Sequence, residues 1–331
     1  MSQDNLLLHV QNLKMYFPIG GVFNPHRQVV KAVDNVSFAV EKGKTFGLVG
    51  ESGCGKTTVG KCILRINCPT DGSIFYKGED IAHYSAAQLR PIRRQIQLIF
   101  QDPYGSLNPR QKVSAILKDA IVEDGMPRTG AQIREEIIRL LNLVELSPDM
   151  SDRYPHELSG GQRQRLGIAR TLACNPELIV CDEPVSALDV SIQAQISNLF
   201  IELQKRPGLT YVFIAHDLAV VRHIADTIAV MYLGHIVETM EAKELFRNPL
   251  HPYTKSLLSA VPIVDYAEEH KRERIILHGE VPSPIHAPSG CPFHPRCIHA
   301  TEACSKVAPA LEDIGGGHYV ACHNFASAHE G

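Results

Sequence analysis

Residues 44–58 read KTFGLVGESGCGKTT and combine three patterns in one short stretch. Lys44–Val49 is an apolar run typical of a buried strand, whereas Thr57–Ile66 has the pattern of a helix. Gly50–Thr57, between them, matches G-x-x-x-x-G-K-[ST]. A strand, a glycine-rich loop and a helix in this order are the setting that a phosphate-binding loop requires. The stretch therefore predicts an α/β domain that binds a nucleoside triphosphate.

The residue types of this loop indicate how it would bind phosphate. Its glycines let backbone N–H groups approach phosphate oxygens without interference from Cβ atoms, and the N-terminus of the following helix favours an anion. Lys56 supplies a positive charge to the β- and γ-phosphates, and the Thr57 hydroxyl suits Mg²⁺ coordination. Cys54 is interpreted as a small loop residue whose alkylation would block ATP binding. The residues expected to contact the nucleotide are Gly50, Ser52, Gly53, Cys54, Gly55, Lys56, Thr57 and Thr58.

A second glycine-rich phrase, LSGGQ, occupies residues 158–162. Two different phosphate-binding phrases in one domain suggest that each completes a site on a neighbouring copy. The ATP would then lie between two subunits. The residues expected to contact the γ-phosphate held by the other subunit are Ser159, Gly160, Gly161 and Gln162.

A candidate catalytic pair follows a third apolar run, ELIVC, at residues 177–181. Asp182, at the end of this strand, can hold Mg²⁺ through water. Glu183 is the candidate general base for the attacking water. Such a pair often only caps a helix. Its position after LSGGQ and before Pro184 favours the catalytic interpretation.

Four further residues complete the expected nucleotide site. Gln101 follows the strand IQLIF and can reach both the metal and the attacking water. His216 follows the strand YVFIA and can donate a hydrogen bond to the γ-phosphate. Asp189 closes a turn that is well placed to touch the opposite subunit. Phe17, or the adjacent Tyr16, can stack on adenine, although aromatic residues at strand ends usually belong to the core.

Strands and helices alternate along the chain, which predicts a mostly parallel, helix-covered sheet. Residues 103–170 are expected to be mostly helical, and residues 18–30, rich in Gly and Pro, to form a loop. One phosphate loop and no internal repeat indicate half of a dimeric ATPase. A shift in composition near residue 245 divides the chain into a nucleotide-binding domain at 1–245 and a C-terminal extension at 246–331.

Composition restricts the classes of partner. The chain has 331 residues, of which 44% are hydrophobic and 21% charged, with a net charge of −3. This near-neutral balance argues against nucleic acid as a partner. No run approaches the roughly 20 apolar residues of a membrane helix, and the N-terminus lacks the pattern of a secretory signal. We therefore expect a cytosolic protein that reaches a membrane only through its partners.

In this order, the motifs resemble the ATP-binding cassette (ABC) family over residues 6–245. The flanking phrases are similar to its dipeptide/oligopeptide importer branch, and the 18–30 insertion and YGSLNPR resemble its F-type more than its D-type ATP-binding subunit. These phrases are FQDPYGSLNPR (100–110), DRYPHELSGGQRQR (152–165), DEPVSALDVSIQAQ (182–195) and NPLHPYTKSLLSAVP (248–262).

The resemblance implies an ABC-type P-loop NTPase fold: a mostly parallel sheet, an antiparallel β subdomain, a helical subdomain at about 103–170 and a small irregular Cys-rich extension. It also implies a peripheral ATPase on the cytoplasmic face of a bacterial inner membrane. Its partners would be a homologous D-type ATP-binding subunit, two transmembrane permeases and, indirectly, a peptide-binding protein. Residues 102–110 are where the permeases would dock.

The C-terminal extension contains four cysteines separated by 5, 6 and 17 residues. A reducing cytosol disfavours disulfides, so metal binding is the better explanation, with zinc and a [4Fe–4S] cluster both open. The spacing lacks the tight C-x₂-C of zinc ribbons and favours the cluster. The resemblance to the dipeptide importer branch also implies a cluster in this tail. His294, His299 and His323 keep a mixed zinc site open, and four free thiols are a further alternative. The cysteines are Cys291, Cys297, Cys304 and Cys322.

Two other functions compete with ATP-driven peptide import. A soluble ABC ATPase acting on ribosomes or nucleic acid usually joins two cassettes or inserts long coiled coils, and neither pattern is present here. In a regulatory module, the cysteine tail would be the main function, but the candidate base Glu183 argues against simple nucleotide binding. Among importers, nickel chelates, glutathione or haem remain alternative solutes, because the ATPase need not touch the solute.

Overall fold

The computed structural model describes residues 5–20, 28–123, 125–206, 208–261 and 275–325. It divides the chain into two compact units. Unit 1 consists of the described parts of 1–41, 45–83 and 214–331. Unit 2 consists of the described parts of 42–44 and 84–213.

The regular elements alternate as the sequence predicts. The strands are β1 (Leu6–Ile19), β2 (Gln28–Glu41), β3 (Thr45–Val49), β4 (Asp71–Tyr76), β5 (Glu79–Asp80), β6 (Ile96–Ile99), β7 (Leu178–Asp182), β8 (Thr210–Ala215), β9 (Thr227–Tyr232), β10 (His235–Glu241), β11 (Glu312–Asp313) and β12 (Tyr319–Val320). The helices are α1 (Lys56–Ile63), α2 (Ala86–Gln95), α3 (Pro103–Ser106), α4 (Val113–Val122), α5 (Gly130–Leu143), α6 (Gly160–Ala173), α7 (Val190–Gln204), α8 (Leu218–Ile224), α9 (Ala242–Leu245), α10 (Pro252–Ser259) and α11 (Glu302–Lys306).

Unit 1 contains a four-stranded antiparallel sheet in the order β2-β1-β4-β5. Its first two strands correct the prediction of a loop at 18–30, because Phe17 pairs with Val30 and Ile19 with Gln28. The β-branched residues Val29 and Val30 favour this extended pairing, and the ladder ends at Ile19 and Gln28. Residues 21–27 of the predicted loop lie outside the described residues.

The remaining strands of unit 1 follow the order β11-β12-β10-β9-β3. Strands β3 and β9 are parallel, and the other neighbours are antiparallel. Helix α8 approaches β3 so closely that a Cβ on Gly47 would lie 2.3 Å from Val221 Cγ1. The fully buried β3 therefore needs glycine at this position, and it leads directly into the phosphate loop.

Unit 2 contains the strand order β8-β7-β6 and helices α2 to α7. Phe200 of α7 makes edge-to-face contacts with Tyr211 and Phe213 of β8, at centroid distances of 5.7 and 5.5 Å. Strands β6 and β7 are parallel, with Ile99 opposite Cys181. Their carboxyl ends therefore reach the same edge, which places the residues that follow them near each other.

A buried carboxylate joins three segments of unit 1. Glu238 of β10 is fully buried and accepts hydrogen bonds from the backbone N–H groups of Leu250 (2.7 Å) and His251 (3.1 Å). His318 Nε2 lies 2.8 Å from Glu238 Oε1. One side chain thus fixes the start of α10 and the approach to β12.

Replacing Glu238 by alanine would leave two backbone donors and His318 without their acceptor. Removing one partner of a buried ionic group costs about 3–5 kcal/mol, and we expect the free energy of unfolding of Glu238→Ala to fall by this amount in urea denaturation. The control is Glu241→Ala, at the exposed end of the same strand, with an expected change within about 0.5 kcal/mol. An equal fall in the free energy of unfolding of the two variants would contradict the role of Glu238 as an anchor.

Candidate functional site

The phosphate loop begins where β3 ends, in unit 1. Gly50 has φ +153° and Gly55 has φ +108°, values that side-chain-bearing residues rarely adopt. A Cβ on Gly50 would lie 2.1 Å from the Met231 carbonyl oxygen, and one on Gly55 would lie 2.1 Å from the Ala32 carbonyl oxygen. Neighbouring backbone therefore presses the loop into a shape that only glycine allows.

Lys56 lies at the centre of this loop and is 4% exposed. Its Nζ donates hydrogen bonds to the carbonyl oxygens of Gly50 (2.7 Å) and Glu51 (2.9 Å). Helix α1 begins at Lys56, and the first turn of a helix presents N–H groups that have no partner within the helix. The half-buried Thr57 and Thr58 belong to that turn. The loop thus combines an ammonium group with backbone donors, as phosphate binding requires.

Cys54 is buried inside the loop, whereas Ser52 and Gly53 at its tip are exposed. The Cys54 Sγ lies 3.7 Å from Lys56 Nζ. Burial raises the pKa of the Cys54 thiol despite this nearby positive charge. The sequence-based interpretation of Cys54 as a small loop residue did not foresee that its sulfur would be this well covered.

Unit 1 also contains His216 and the two aromatic candidates. His216 directly follows β8 and is exposed. The Tyr16 hydroxyl donates to Asp34 Oδ1 at 2.6 Å, and Lys31 Nζ lies 5.4 Å from the Tyr16 ring centroid. Phe17 is 37% exposed. Phe17 is therefore the aromatic residue of the two whose ring is more open to stacking.

In unit 2 the parallel strands β6 and β7 bring two expected catalytic residues together. Gln101 Nε2 donates to Glu183 Oε2 at 3.1 Å and lies 3.4 Å from Ser186 Oγ. Glu183 has φ +48°, a left-handed conformation that is uncommon outside glycine and is often found at functional sites. Asp182 is half-buried at the end of β7.

The LSGGQ phrase forms the N-terminus of α6. Ser159 Oγ accepts a hydrogen bond from Gln162 N (3.3 Å), and Gln162 Oε1 accepts one from Ser159 N (2.9 Å). This capping box fixes the first turn, in which Gly160 and Gly161 expose backbone donors. A Cβ on Gly161 would lie 2.7 Å from Ile192 Cγ2, so α7 also requires glycine there.

Asp189 precedes α7 and is exposed, and the next residue, Val190, is 82% exposed. The turn before α7 therefore lies at the surface of unit 2.

The four C-terminal cysteines of unit 1 line one small cavity of about 10 Å³, together with Phe293. Burial raises the pKa of Cys291 to about 11 and also raises the pKa values of Cys297 and Cys322. Asn324 N donates to Cys322 Sγ at 3.4 Å. Within the described part of the chain, no three His, Cys, Asp or Glu side chains are arranged to hold a single metal ion.

Sequence reasoning missed a set of contacts between the C-terminal extension and the phosphate loop. Arg296 donates from both terminal nitrogens to the two carboxylate oxygens of Glu51, at 2.8 and 3.2 Å. The Tyr253 hydroxyl accepts a hydrogen bond from Glu51 N at 2.9 Å. Glu51 and Arg296 are 245 positions apart. No local pattern could have connected them, although Tyr253 and Arg296 both lie in segments that the sequence analysis singled out.

Two family models match this chain, one over the nucleotide-binding motifs and one over the C-terminal region. Residues 33–186 match the model of the ABC transporter family, and residues 237–304 match that of the oligopeptide/dipeptide transporter C-terminal region. The chain is 52% identical to the putative oligopeptide transport ATP-binding protein YkfD of Bacillus subtilis, covering 97% of this chain and 96% of YkfD. It is 48% identical to the dipeptide transport ATP-binding protein DppF of Escherichia coli, covering 96% and 93% of the two chains.

Solved structures confirm the predicted cassette fold. A dimeric post-hydrolysis state of the ATP-binding cassette MJ0796 with ADP and Pi has a TM-score of 0.64 and 27% identity, covering 71% of this chain and 98% of that one. The cbiO1 subunit of Clostridium perfringens also has a TM-score of 0.64, with 26% identity and coverage of 73% and 91%. Among the residues described, no helix has the length and apolar character needed to cross a membrane.

Cys54 and Cys68 allow a test of how the loop covers its thiol. Both are free, but Cys54 is buried and Cys68 is exposed. Because the thiolate is the nucleophile, we expect iodoacetamide at neutral pH to modify Cys68 first. Modification of Cys54 should accelerate as the pH approaches its raised pKa. Peptide mass spectrometry over time measures both rates, and equal rates at neutral pH would contradict this structure of the loop.

Proposed function

The chain belongs to the oligopeptide/dipeptide branch of the ABC transporter family, and we propose that it hydrolyses ATP to power import of di- or oligopeptides through a membrane permease. The observation that carries peptide transport is the match of residues 237–304 to the C-terminal region of that branch. This region distinguishes the chain from cassettes that consist of the nucleotide-binding domain alone. We place the boundary between the nucleotide-binding domain and the C-terminal extension near residue 245.

In the proposed reaction, the residues from Gly50 to Thr58 hold the phosphates of ATP. Lys56 contributes its charge and the first turn of α1 contributes backbone donors. Phe17 stacks on adenine. The Thr57 hydroxyl, Asp182 and Gln101 would hold Mg²⁺, and their oxygen atoms suit this ion, which usually takes few protein ligands besides the phosphates. Bound Mg²⁺ would neutralise negative charge on the β- and γ-phosphates.

Glu183 is the proposed general base, and it accepts the proton of the attacking water on a carboxylate oxygen. Gln101 donates to that carboxylate at 3.1 Å and fixes its orientation, which supports this assignment. His216 donates a hydrogen bond to the γ-phosphate. Positioned proton transfer of this kind is worth about 10² to 10⁴ in rate.

We propose that a second, homologous D-type subunit completes each site. The first turn of α6, with Ser159, Gly160, Gly161 and Gln162, would contact the γ-phosphate held by the other subunit. Asp189, which is exposed in this structure, would lie at the subunit interface. Such a pairing explains why the chain carries two different phosphate-binding phrases and only one phosphate loop.

The membrane partners are two permeases, which residues 102–110 would contact, and a peptide-binding protein acts through them. We place the chain at the cytoplasmic face of a bacterial inner membrane, attached only through the permeases. Nickel chelates, glutathione and haem remain alternative solutes, since this chain need not touch the transported molecule.

We further propose that the cysteine tail binds a [4Fe–4S] cluster rather than Zn²⁺. Four thiols that share one cavity are a suitable donor set for thiolate ligation. The spacing of these cysteines lacks the tight C-x₂-C of zinc ribbons, which favours the cluster over a single zinc ion. The present cavity has room for about one water molecule, so the sulfur atoms would separate when the cluster binds. The cluster would serve as a structural cross-link.

The main test of the proposed function is Glu183→Gln, which keeps the size of the side chain and removes the base. We expect ATP to remain bound and hydrolysis to fall by about 10² to 10⁴-fold, which traps an ATP-bound complex with the partner subunit. Radiolabelled phosphate release and size-exclusion chromatography measure the two effects.

The control for this test is Lys56→Ala, which should lose nucleotide binding and so form no trapped complex. Unchanged turnover in Glu183→Gln would reject the base assignment. If the reconstituted wild-type complex hydrolyses ATP but transports no peptide, peptides are rejected as the solute.

The metal content of the tail gives a second test. We expect protein purified without oxygen to contain about four iron ions per chain, together with acid-labile sulfide. Cys297→Ser should lose most of the iron, whereas the matched change Cys68→Ser, at an exposed cysteine outside the tail, should not. An iron-free preparation with about one zinc ion per chain would reject the cluster.

A further inference from the structure

The phosphate loop of unit 1 contains an acidic side chain, Glu51, in the stretch expected to receive a triphosphate. An uncompensated carboxylate there would repel the phosphates. In this structure the two terminal nitrogens of Arg296 contact its two oxygen atoms, at 2.8 and 3.2 Å. Paired arginine–carboxylate contacts of this kind fix orientation as well as charge.

Arg296 is itself held firmly in the C-terminal extension. Its side chain is only 8% exposed, and its guanidinium carbon lies 6.0 Å from the Tyr232 ring centroid. Phe293, three residues earlier in the same turn, packs against Tyr232 and Tyr253 at centroid distances of 5.2 and 5.4 Å. The guanidinium group that contacts Glu51 is therefore held in place by packed aromatic rings.

A second contact from the same part of unit 1 reaches the same residue. The Tyr253 hydroxyl accepts the backbone N–H of Glu51. Both the side chain and the backbone of Glu51 are thus held from residues beyond the nucleotide-binding motifs. Lys56 Nζ in turn donates to the Glu51 carbonyl oxygen at 2.9 Å, so the position of Glu51 bears directly on the loop lysine.

We propose that Arg296 is a positioning residue of the nucleotide site: it neutralises and orients Glu51, and thereby keeps the phosphate loop able to bind ATP. The C-terminal extension is then a working part of nucleotide binding in addition to any role in holding a metal. This inference rests on the proposed function, since it requires that the loop binds ATP.

The experiment compares six variants of the full chain with the wild type by calorimetric titration with Mg·ATP. They are Arg296→Met, Arg296→Lys, Glu51→Gln, the double variant of Glu51→Gln with Arg296→Met, Arg247→Met and Lys56→Ala. Arg296→Met keeps much of the side-chain length and leaves the Glu51 charge uncompensated. We expect the Kd for Mg·ATP to rise about tenfold, or about 1.4 kcal/mol, and KM to rise with kcat changed by less than about twofold. Arg296→Lys keeps the charge without the paired geometry and should raise Kd by about threefold.

Removing the carboxylate separates charge compensation from general disruption. In the double variant Glu51→Gln with Arg296→Met, no carboxylate of the loop lacks its partner, so Kd should return to within about threefold of the wild type. The matched control is Arg247→Met, at an arginine that pairs with Glu244 but is 73% exposed; its Kd should be unchanged.

A wild-type Kd for Arg296→Met would overturn the inference, as would a double variant whose loss equals the sum of the single losses. If Arg296→Met does not fold, as judged by circular dichroism, Arg296→Lys decides: a weaker Kd supports the inference and an unchanged Kd overturns it. Wild-type protein that binds no Mg·ATP would overturn the proposed function and this inference together. Wild-type binding that Lys56→Ala abolishes and Arg296→Met leaves intact would overturn this inference alone.

Discussion

The phosphate loop depends on a steric constraint: backbone from elsewhere in unit 1 lies so close to the loop that side chains are excluded. Carbonyl oxygens of Met231 and Ala32 occupy the space that a Cβ on Gly50 or Gly55 would need. The loop therefore curls tightly at the end of β3, and this curl brings the Lys56 ammonium to its centre. The proposed contacts of Lys56, Thr57 and Thr58 with phosphate depend on this shape of the loop.

Unit 2 relies on a different constraint, the parallel pairing of β6 and β7. Because the two strands run in the same direction, the residues after them emerge at one edge, and Gln101 meets Glu183 there. Glu183 follows the end of β7 with a left-handed backbone, φ +48°, whereas Asp182 is the last residue of the strand.

Local motifs allowed the sequence to predict the cassette fold and the strand before the phosphate loop. The roles of the residues in the two phosphate-binding phrases stay predictions. The errors have physical causes. Helix α1 ends at Ile63, three residues early, where Arg65 takes a left-handed turn with φ +55°. The loop predicted at 18–30 was wrong at both ends, because residues 18–19 pair with residues 28–29 of the neighbouring strand. The contact between Glu51 and Arg296 was unpredictable, since it depends on tertiary packing between distant segments.

The buried Glu238 has a consequence for how this polypeptide could be shortened. The Glu238 carboxylate oxygens form hydrogen bonds with Leu250, His251 and His318. All three residues follow β10 in the chain. A chain ended directly after β10 would keep the Glu238 side chain and lose these three hydrogen-bond partners. An apolar residue at position 238 would remove this penalty, so a shortened protein calls for a change in β10 as well.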